Sequence, residues 1–105
     1  MNRKHGIIIL FHLANAKNKD LARFCKKFYG YKDHSNKGKY IYERDGIISN
    51  IPHIKINPIR TAIIVKEEDA DIISNALESF GAEIHKRKIE LTSEDIDDLE
   101  IEDIS

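Results

Sequence analysis

The chain has 105 residues, which is enough for one domain with a single hydrophobic core and no stabilising disulfide or metal. Hydrophobic residues make up 41% and charged residues 33%, a composition that excludes a largely disordered protein. The net charge of −1 conceals an asymmetry: residues 1–66 hold fourteen Lys and Arg against four Asp and Glu, whereas residues 67–105 hold three against fourteen. This asymmetry indicates a surface for polyanions or an acidic interaction segment.

The sequence predicts a protein without a membrane span, located in the cytoplasm. No apolar run approaches the roughly 18 to 20 residues that cross a bilayer. The first apolar run, residues 7–13, is too short for the core of a secretory signal and includes His12, so it predicts a strand instead. Cys25 is the single cysteine and has no internal disulfide partner, which favours a reducing compartment.

The first predicted elements are a strand and a helix. Gly6–Leu13 is a short, isoleucine-rich run and predicts a buried first strand. The helix is expected between Asn18, a favourable N-cap, and Gly30, a favourable residue for ending a helix. Its predicted apolar side consists of Leu21, Phe24, Cys25 and Phe28.

The middle of the chain predicts a loop, a second strand and an irregular arm. Residues 31–38 are polar and predict the loop. The alternation over Lys39–Arg44 predicts the strand, and Asp45-Gly46 predicts a hairpin turn after it. Residues 47–59 hold six isoleucines and two prolines, which indicate a return arm or a short extra strand rather than a central one.

The last third predicts a strand, a helix, a strand and an acidic extension. Thr61–Val65 is the third strand, and the carboxylates within residues 67–71 favour the start of a helix that ends at Gly81. Ala82–Leu91 is the fourth strand, and Thr92–Ser105 is acidic, with a helix cap expected at Thr92 or Ser93. The buried stripe of the second helix is predicted to be Ile73, Ala76, Leu77 and Phe80.

The order of these elements predicts an α+β fold, a ferredoxin-like βαββαβ plait with an antiparallel sheet and two helices on one face. The domain is expected to span residues 1–91, and residues 92–105 form its acidic tail. Strands one and three are apolar on both faces and are expected at the centre, with the more charged strands two and four at the edges. An uncovered apolar sheet face predicts either a homodimer or a seat for the 47–59 arm.

Basic and aromatic residues interleave from the first helix to the second strand. Lysine and arginine side chains neutralise phosphates, and tyrosine rings stack on unpaired bases. The predicted nucleic-acid contacts are Lys19, Arg23, Lys26, Lys27, Lys32, Lys37, Lys39 and Arg44, with Tyr31, Tyr40 and Tyr42 for stacking. The alternative is a solvated helix face that pairs with the acidic second helix.

Other site types have weaker support. The central strands lack the aromatic residues of an RNA-recognition motif, and the five isolated glycines form no phosphate-binding loop. A metal-dependent nuclease of plait fold would need an acidic residue at the end of strand one, which here continues as His12-Leu13-Ala14-Asn15. Cys25 is expected in the core rather than as a nucleophile. No pair has zinc-site spacing among His5, His12, Asp33, His34, His53, His85 and Cys25.

The sequence therefore predicts a small, non-enzymatic accessory protein that binds RNA or DNA without a metal or cofactor. The first alternative is a protein–protein interaction or regulatory module that assembles through complementary charges, and the second is a small hydrolase or nuclease. Glu94–Asp103 contains seven carboxylates with interspersed Ile and Leu. This segment is expected to bind a protein partner, to fold back on the basic surface in competition with nucleic acid, or to act as a frayed solubilising end.

Overall fold

The computed structural model describes residues 4–13, 18–35 and 40–101. The elements are β1 (His5–Leu13), α1 (Asn18–Tyr29), β2 (Gly30–Ser35), β3 (Tyr40–Asp45), β4 (His53–Ile56), β5 (Ile59–Lys66), a 3-10 turn (Glu67–Asp69), α2 (Ala70–Ser79), β6 (Ala82–Glu90) and α3 (Ser93–Asp98). The chain divides into two compact units. The sheet unit comprises residues 1–14 and 51–105, and the ribbon unit comprises residues 15–50.

The sheet unit contains a four-stranded antiparallel sheet in the order β4-β5-β1-β6. The two central strands are the predicted strands one and three, and the predicted fourth strand lies at an edge, so these three predictions are confirmed. Ile9 of β1 lies opposite Ile63 of β5, and both side chains are fully buried. Both isoleucine-rich runs lie at the centre of the sheet, and β5 also buries Ala62 and Val65.

The second predicted strand lies elsewhere. β3 pairs with β2 in a separate two-stranded sheet, and β4, from the 47–59 arm, takes the other edge of the four-stranded sheet. The prediction of a loop over residues 31–38 is wrong for residues 31–35, which belong to β2. Asp45-Gly46 does not form a hairpin turn to a following strand, because Asp45 ends β3 and pairs with Gly30 of the preceding strand β2. The structure is α+β, and the ferredoxin-like plait stays a prediction.

Helix α2 packs against β1 and β6. Ile73 and Leu77 are buried, as predicted, and so is Ala70, which was not predicted. Of the other two predicted positions, Ala76 is partly exposed and Phe80 is 37% exposed, outside the buried stripe. The predicted acidic start of this helix is present but begins as the 3-10 turn. Its carboxylates form ion pairs within the sheet unit: Lys86 Nζ lies 3.6 Å from Asp71, and Lys88 Nζ lies 3.6 Å from Glu67.

The opposite sheet face is covered at one end by the start of the acidic segment. A Cβ on Gly6 would lie 2.9 Å from Leu91 Cδ2, which places the Leu91 side chain against this face. Lys66 of β5 lies opposite Gly6 in the β1–β5 register. A hydrogen bond to Glu68 raises the pKa of the Lys66 ammonium, and the negative charges of Glu68, Asp69 and Glu100 raise it further. At the other end of the face Leu10 is 41% exposed.

The acidic segment continues as helix α3, which contacts β4. Thr92 is its N-cap, as predicted: Asp95 N donates to Thr92 Oγ1 at 3.1 Å, and Thr92 N donates to Asp95 Oδ2 at 3.0 Å. Leu99 follows the helix and is fully buried. Residues 92–99 therefore belong to the folded sheet unit and are not a frayed end, while residues 102–105 lie outside the described part of the chain.

Replacing Leu99 by alanine should destabilise the sheet unit by about 2–5 kcal/mol, because it removes a fully buried side chain and leaves a cavity. Ile72→Ala is the matched control; Ile72 is 60% exposed on α2, and its loss should change stability by about 0.5 kcal/mol or less. Urea denaturation measures both variants. Equal, small effects would show that the acidic segment does not pack on the sheet.

Candidate nucleic-acid interface

All the predicted nucleic-acid contacts lie in the ribbon unit. Residues 15–50 hold nine Lys and Arg against four Asp and Glu, a net charge of +5. The sheet unit holds eight against fourteen, a net charge of −6. The charge asymmetry seen along the sequence therefore persists between the two units, of which the ribbon unit is net positive and the sheet unit is net negative.

Helix α1 separates an apolar side from a basic side, as predicted. Phe24, Cys25 and Phe28 are buried, and the rings of Phe24 and Phe28 stack with centroids 5.4 Å apart. The basic side carries Arg23, Lys26 and Lys27, all exposed. The prediction for Cys25 is confirmed: its side chain is a buried part of the core.

Tyr29, the last residue of α1, packs against its neighbour Phe28 and is partly buried. Its ring meets Phe28 edge to face with centroids 4.9 Å apart. Burial, together with the nearby Cys25, raises the pKa of the Tyr29 hydroxyl well above its usual range. Tyr29 therefore stays neutral and half-buried, and it is not a candidate for base stacking.

Two glycines cross where α1 ends and β3 ends. Gly30 has a left-handed backbone with φ +88°, which favours glycine, and it ends the helix as predicted. A Cβ on Gly30 would lie 2.5 Å from Arg44 O and 2.8 Å from Gly46 N. A Cβ on Gly46 would overlap Gly30 N and Phe28 O. We call this close approach the glycine crossing; only two residues without side chains permit it.

The glycine crossing lets the chain after β3 hydrogen-bond to the end of α1. Ile47 N donates to Lys27 O, and Ile48 N donates to Phe28 O, both at 3.1 Å. Carbonyls in the last turn of a helix lack partners within the helix, so these bonds satisfy two of them. Ile48 is fully buried, and Ser49 closes the turn by accepting from Gly46 N at 2.7 Å. The helix end and the strand end are thereby fastened together.

This fastening brings a lysine of the helix to a tyrosine of the ribbon. Lys26 Nζ lies 5.4 Å from the centroid of the Tyr31 ring, a cation–π contact. Arg44 lies directly opposite Tyr31 in the β2–β3 register, so the two residues share one face of the ribbon. We name Lys26, Tyr31 and Arg44 the Tyr31 corner. All three side chains are exposed, Tyr31 by 43%.

The other predicted contact residues are distributed around this corner. Lys32 is exposed and lies opposite Glu43, on the other face of the ribbon. Tyr40 and Tyr42 pair with Ser35 and Asp33, and this register puts positions 40 and 42 on the face of Tyr31 and Arg44. Lys19 lies in the first turn of α1. Lys37 and Lys39 lie outside the described residues.

The four carboxylates at the start of α2, Glu67, Glu68, Asp69 and Asp71, have lysine partners within the sheet unit. Besides the pairs of Lys86 and Lys88, Lys66 Nζ lies 3.0 Å from Glu68 Oε1 and 3.9 Å from Asp69 Oδ2. These ion pairs are formed within one unit.

The described residues contain no cluster for metal binding and no membrane-spanning helix. No three of their His, Cys, Asp and Glu side chains are arranged to hold a metal ion. None of their helices is long and apolar enough to cross a bilayer.

Comparison with known proteins gives no relative for this chain. No protein-family model matches it, and neither does any curated protein or solved structure.

Replacing Gly46 by alanine should open the glycine crossing, because a Cβ would overlap backbone atoms that cannot move aside. We expect the free energy of unfolding to fall by about 3 kcal/mol, which is the upper end of the usual cost of overpacking. Hydrogen exchange measures the local effect: the Ile47 and Ile48 amides should lose protection.

Gly81→Ala is the control. Gly81 has φ +81° and no atom within 4 Å of the place that a Cβ would take, so alanine should cost about 1–2 kcal/mol through backbone strain alone. It should leave the Ile47 and Ile48 amides protected. Unchanged protection of these amides in Gly46→Ala would contradict the fastening described for the ribbon unit.

Proposed function

We propose that this chain is a small, non-enzymatic accessory protein that binds RNA or DNA through the exposed basic surface of its ribbon unit. The observation that carries the proposal is the Tyr31 corner. There a lysine from a helix and an arginine from a strand flank one exposed aromatic ring. Cations bind phosphates and an aromatic ring binds a base, so the corner offers the two contacts that a nucleotide requires.

The charge of the surface supports the same proposal. Five exposed cationic side chains are described in the ribbon unit, namely Arg23, Lys26, Lys27, Lys32 and Arg44. Each lysine or arginine that binds a phosphate releases counterions, so affinity falls as salt rises. If all five bind phosphates, the logarithm of the binding constant should fall with the logarithm of salt concentration with a slope of about −4 to −5 on duplex DNA.

We further propose that the protein folds as a ferredoxin-like plait, acts in the cytoplasm and needs no metal or cofactor. We also propose that two copies form a dimer through the sheet face opposite α2. The order β6-β1-β5 within the sheet is compatible with that plait. Such an interface would cover Leu10, which is 41% exposed on that face.

The alternative function is a protein–protein interaction module that assembles through complementary charges. The opposite net charges of the ribbon unit and the sheet unit favour it, because copies or partners of complementary charge attract each other. This attraction is screened by salt. Sedimentation at low and high salt, without nucleic acid, separates the two functions: charge-directed assembly should dissociate at high salt.

Reversing two charges at the end of α1 should weaken nucleic-acid binding. In Lys26→Glu/Lys27→Glu we expect the affinity for a labelled oligonucleotide to fall roughly tenfold or more at low salt. The salt slope should become shallower by about 2, about one unit for each lost phosphate contact. Fluorescence anisotropy across a salt series measures both quantities.

Lys86→Glu/Lys88→Glu is the charge-matched control. It changes the net charge by the same amount but lies in the sheet unit, where the two lysines form only exposed ion pairs of small energy. Circular dichroism verifies that each variant is folded. If both double variants lose affinity equally, net charge alone governs binding, and the basic side of α1 is not the interface.

A further inference from the structure

We propose that the nucleic acid bound by this chain is single-stranded, and that one unpaired base stacks on Tyr31 by replacing Lys26 over the ring. This inference rests on the proposed function and names its substrate class. It follows from the way in which Tyr31 is held, from what covers it and from the relative strengths of the two contacts that compete for its ring.

Tyr31 is exposed but anchored. It follows Gly30, whose backbone the glycine crossing fixes, and it lies within the paired strand β2 opposite Arg44. An aromatic ring held at a fixed point of a ribbon loses little conformational entropy when a ligand binds to it. Tyr31 is therefore ready to bind a planar group without rearrangement of its backbone.

The Lys26 ammonium is a weak occupant of this ring. A cation–π contact at an exposed site is worth roughly two- to fivefold in an equilibrium constant. Stacking of one base on an aromatic side chain is worth roughly five- to 150-fold in affinity. A base therefore displaces Lys26 from the ring, and the released ammonium lies next to the phosphates that flank that base. Lys26 thus exchanges its contact with the Tyr31 ring for a contact with phosphate, so its ammonium has a favourable partner before and after the base binds.

The stacking contact selects unpaired nucleotides. Inside a duplex both faces of every base are covered by neighbouring base pairs, so the Tyr31 ring has no base face to bind. Phosphate contacts alone do not make this distinction, because both forms carry the charged backbone. Among the described residues of the two central strands of the four-stranded sheet, Phe11 is the one Phe, Tyr or Trp, and it is buried.

The test compares a labelled single strand with a strand of equal length and charge that carries abasic sites throughout. Fluorescence anisotropy measures both affinities, for deoxyribonucleotide and ribonucleotide strands, with the full chain. We expect the wild-type protein to prefer the strand with bases roughly five- to 150-fold. Tyr31→Phe should keep this preference, because the ring remains, and Tyr31→Leu should reduce it to about twofold or less.

The same variants give the control readouts. Tyr31→Leu should change the affinity for the abasic strand by at most about two- to fivefold, the worth of the cation–π contact, since Lys26 and Arg44 are retained. Phe80→Leu removes an exposed aromatic residue of the sheet unit and should alter neither affinity. By NMR, the ε-protons of Lys26 should lose their ring-current shift when the base-carrying strand binds but keep it with the abasic strand.

The outcomes separate this inference from the proposed function. Equal, salt-dependent binding of both strands by the wild-type protein would overturn stacking on Tyr31 and leave phosphate binding by the ribbon unit in place. Full retention of the base preference in Tyr31→Leu would also overturn it. Failure to bind either strand at low salt would overturn both the inference and the proposed function.

Discussion

The ribbon unit depends on the glycine crossing. Two backbone segments approach so closely at Gly30 and Gly46 that neither residue can carry a side chain, and the approach provides partners for two carbonyls at the end of α1. Each such hydrogen bond contributes about 0.5–1.5 kcal/mol. The Lys26–Tyr31 contact contributes about 0.5–1 kcal/mol at an exposed site, too little to orient a helix on a ribbon. The backbone crossing therefore sets the geometry, and the side-chain contact is its consequence.

The ribbon unit and the sheet unit also differ in the sign of their net charge. Acidic residues at the start of α2 are close to the lysines of β5 and β6, and each pair is made within the sheet unit. Positive charge is concentrated in the ribbon unit, whose described residues bury the apolar side chains of Phe24, Cys25, Phe28 and Ile48. The described cations Arg23, Lys26, Lys27, Lys32 and Arg44 are exposed on this unit rather than buried in that core. The acidic segment after β6 has a structural part as well, because it buries Leu99.

Much of the fold could be predicted from the sequence where hydrophobic period and caps agree. The runs around Ile9 and Ile63 predicted the two central strands, and Asn18 and Gly30 predicted the limits of α1. β2 was missed because Tyr31–Ser35 shows no apolar alternation in the sequence; the burial of its side chains is described for Tyr31 and Lys32, and both are exposed. The burial of Leu99 was missed because the charged residues around it resemble a solvated tail.

The candidate site was predicted in its residue types but not in its arrangement. The basic and aromatic composition between Lys19 and Arg44 pointed to nucleic acid, yet it gave no reason to place Lys26 over Tyr31. That contact depends on a backbone approach between two glycines that are distant in sequence. Gly46, read locally, is explained equally well by a hairpin turn. Only the pairing of Asp45 with Gly30 distinguishes the two interpretations.

Amide chemical-shift mapping with a single-stranded oligonucleotide is the sharpest test of the basic interface, because it locates the contact surface without altering the protein. We expect the largest changes on the last turn of α1, on Tyr31 and on Arg44, and we expect them to diminish as salt is raised. Changes concentrated on β6 or α3 of the sheet unit, or no changes at low salt, would contradict this interface.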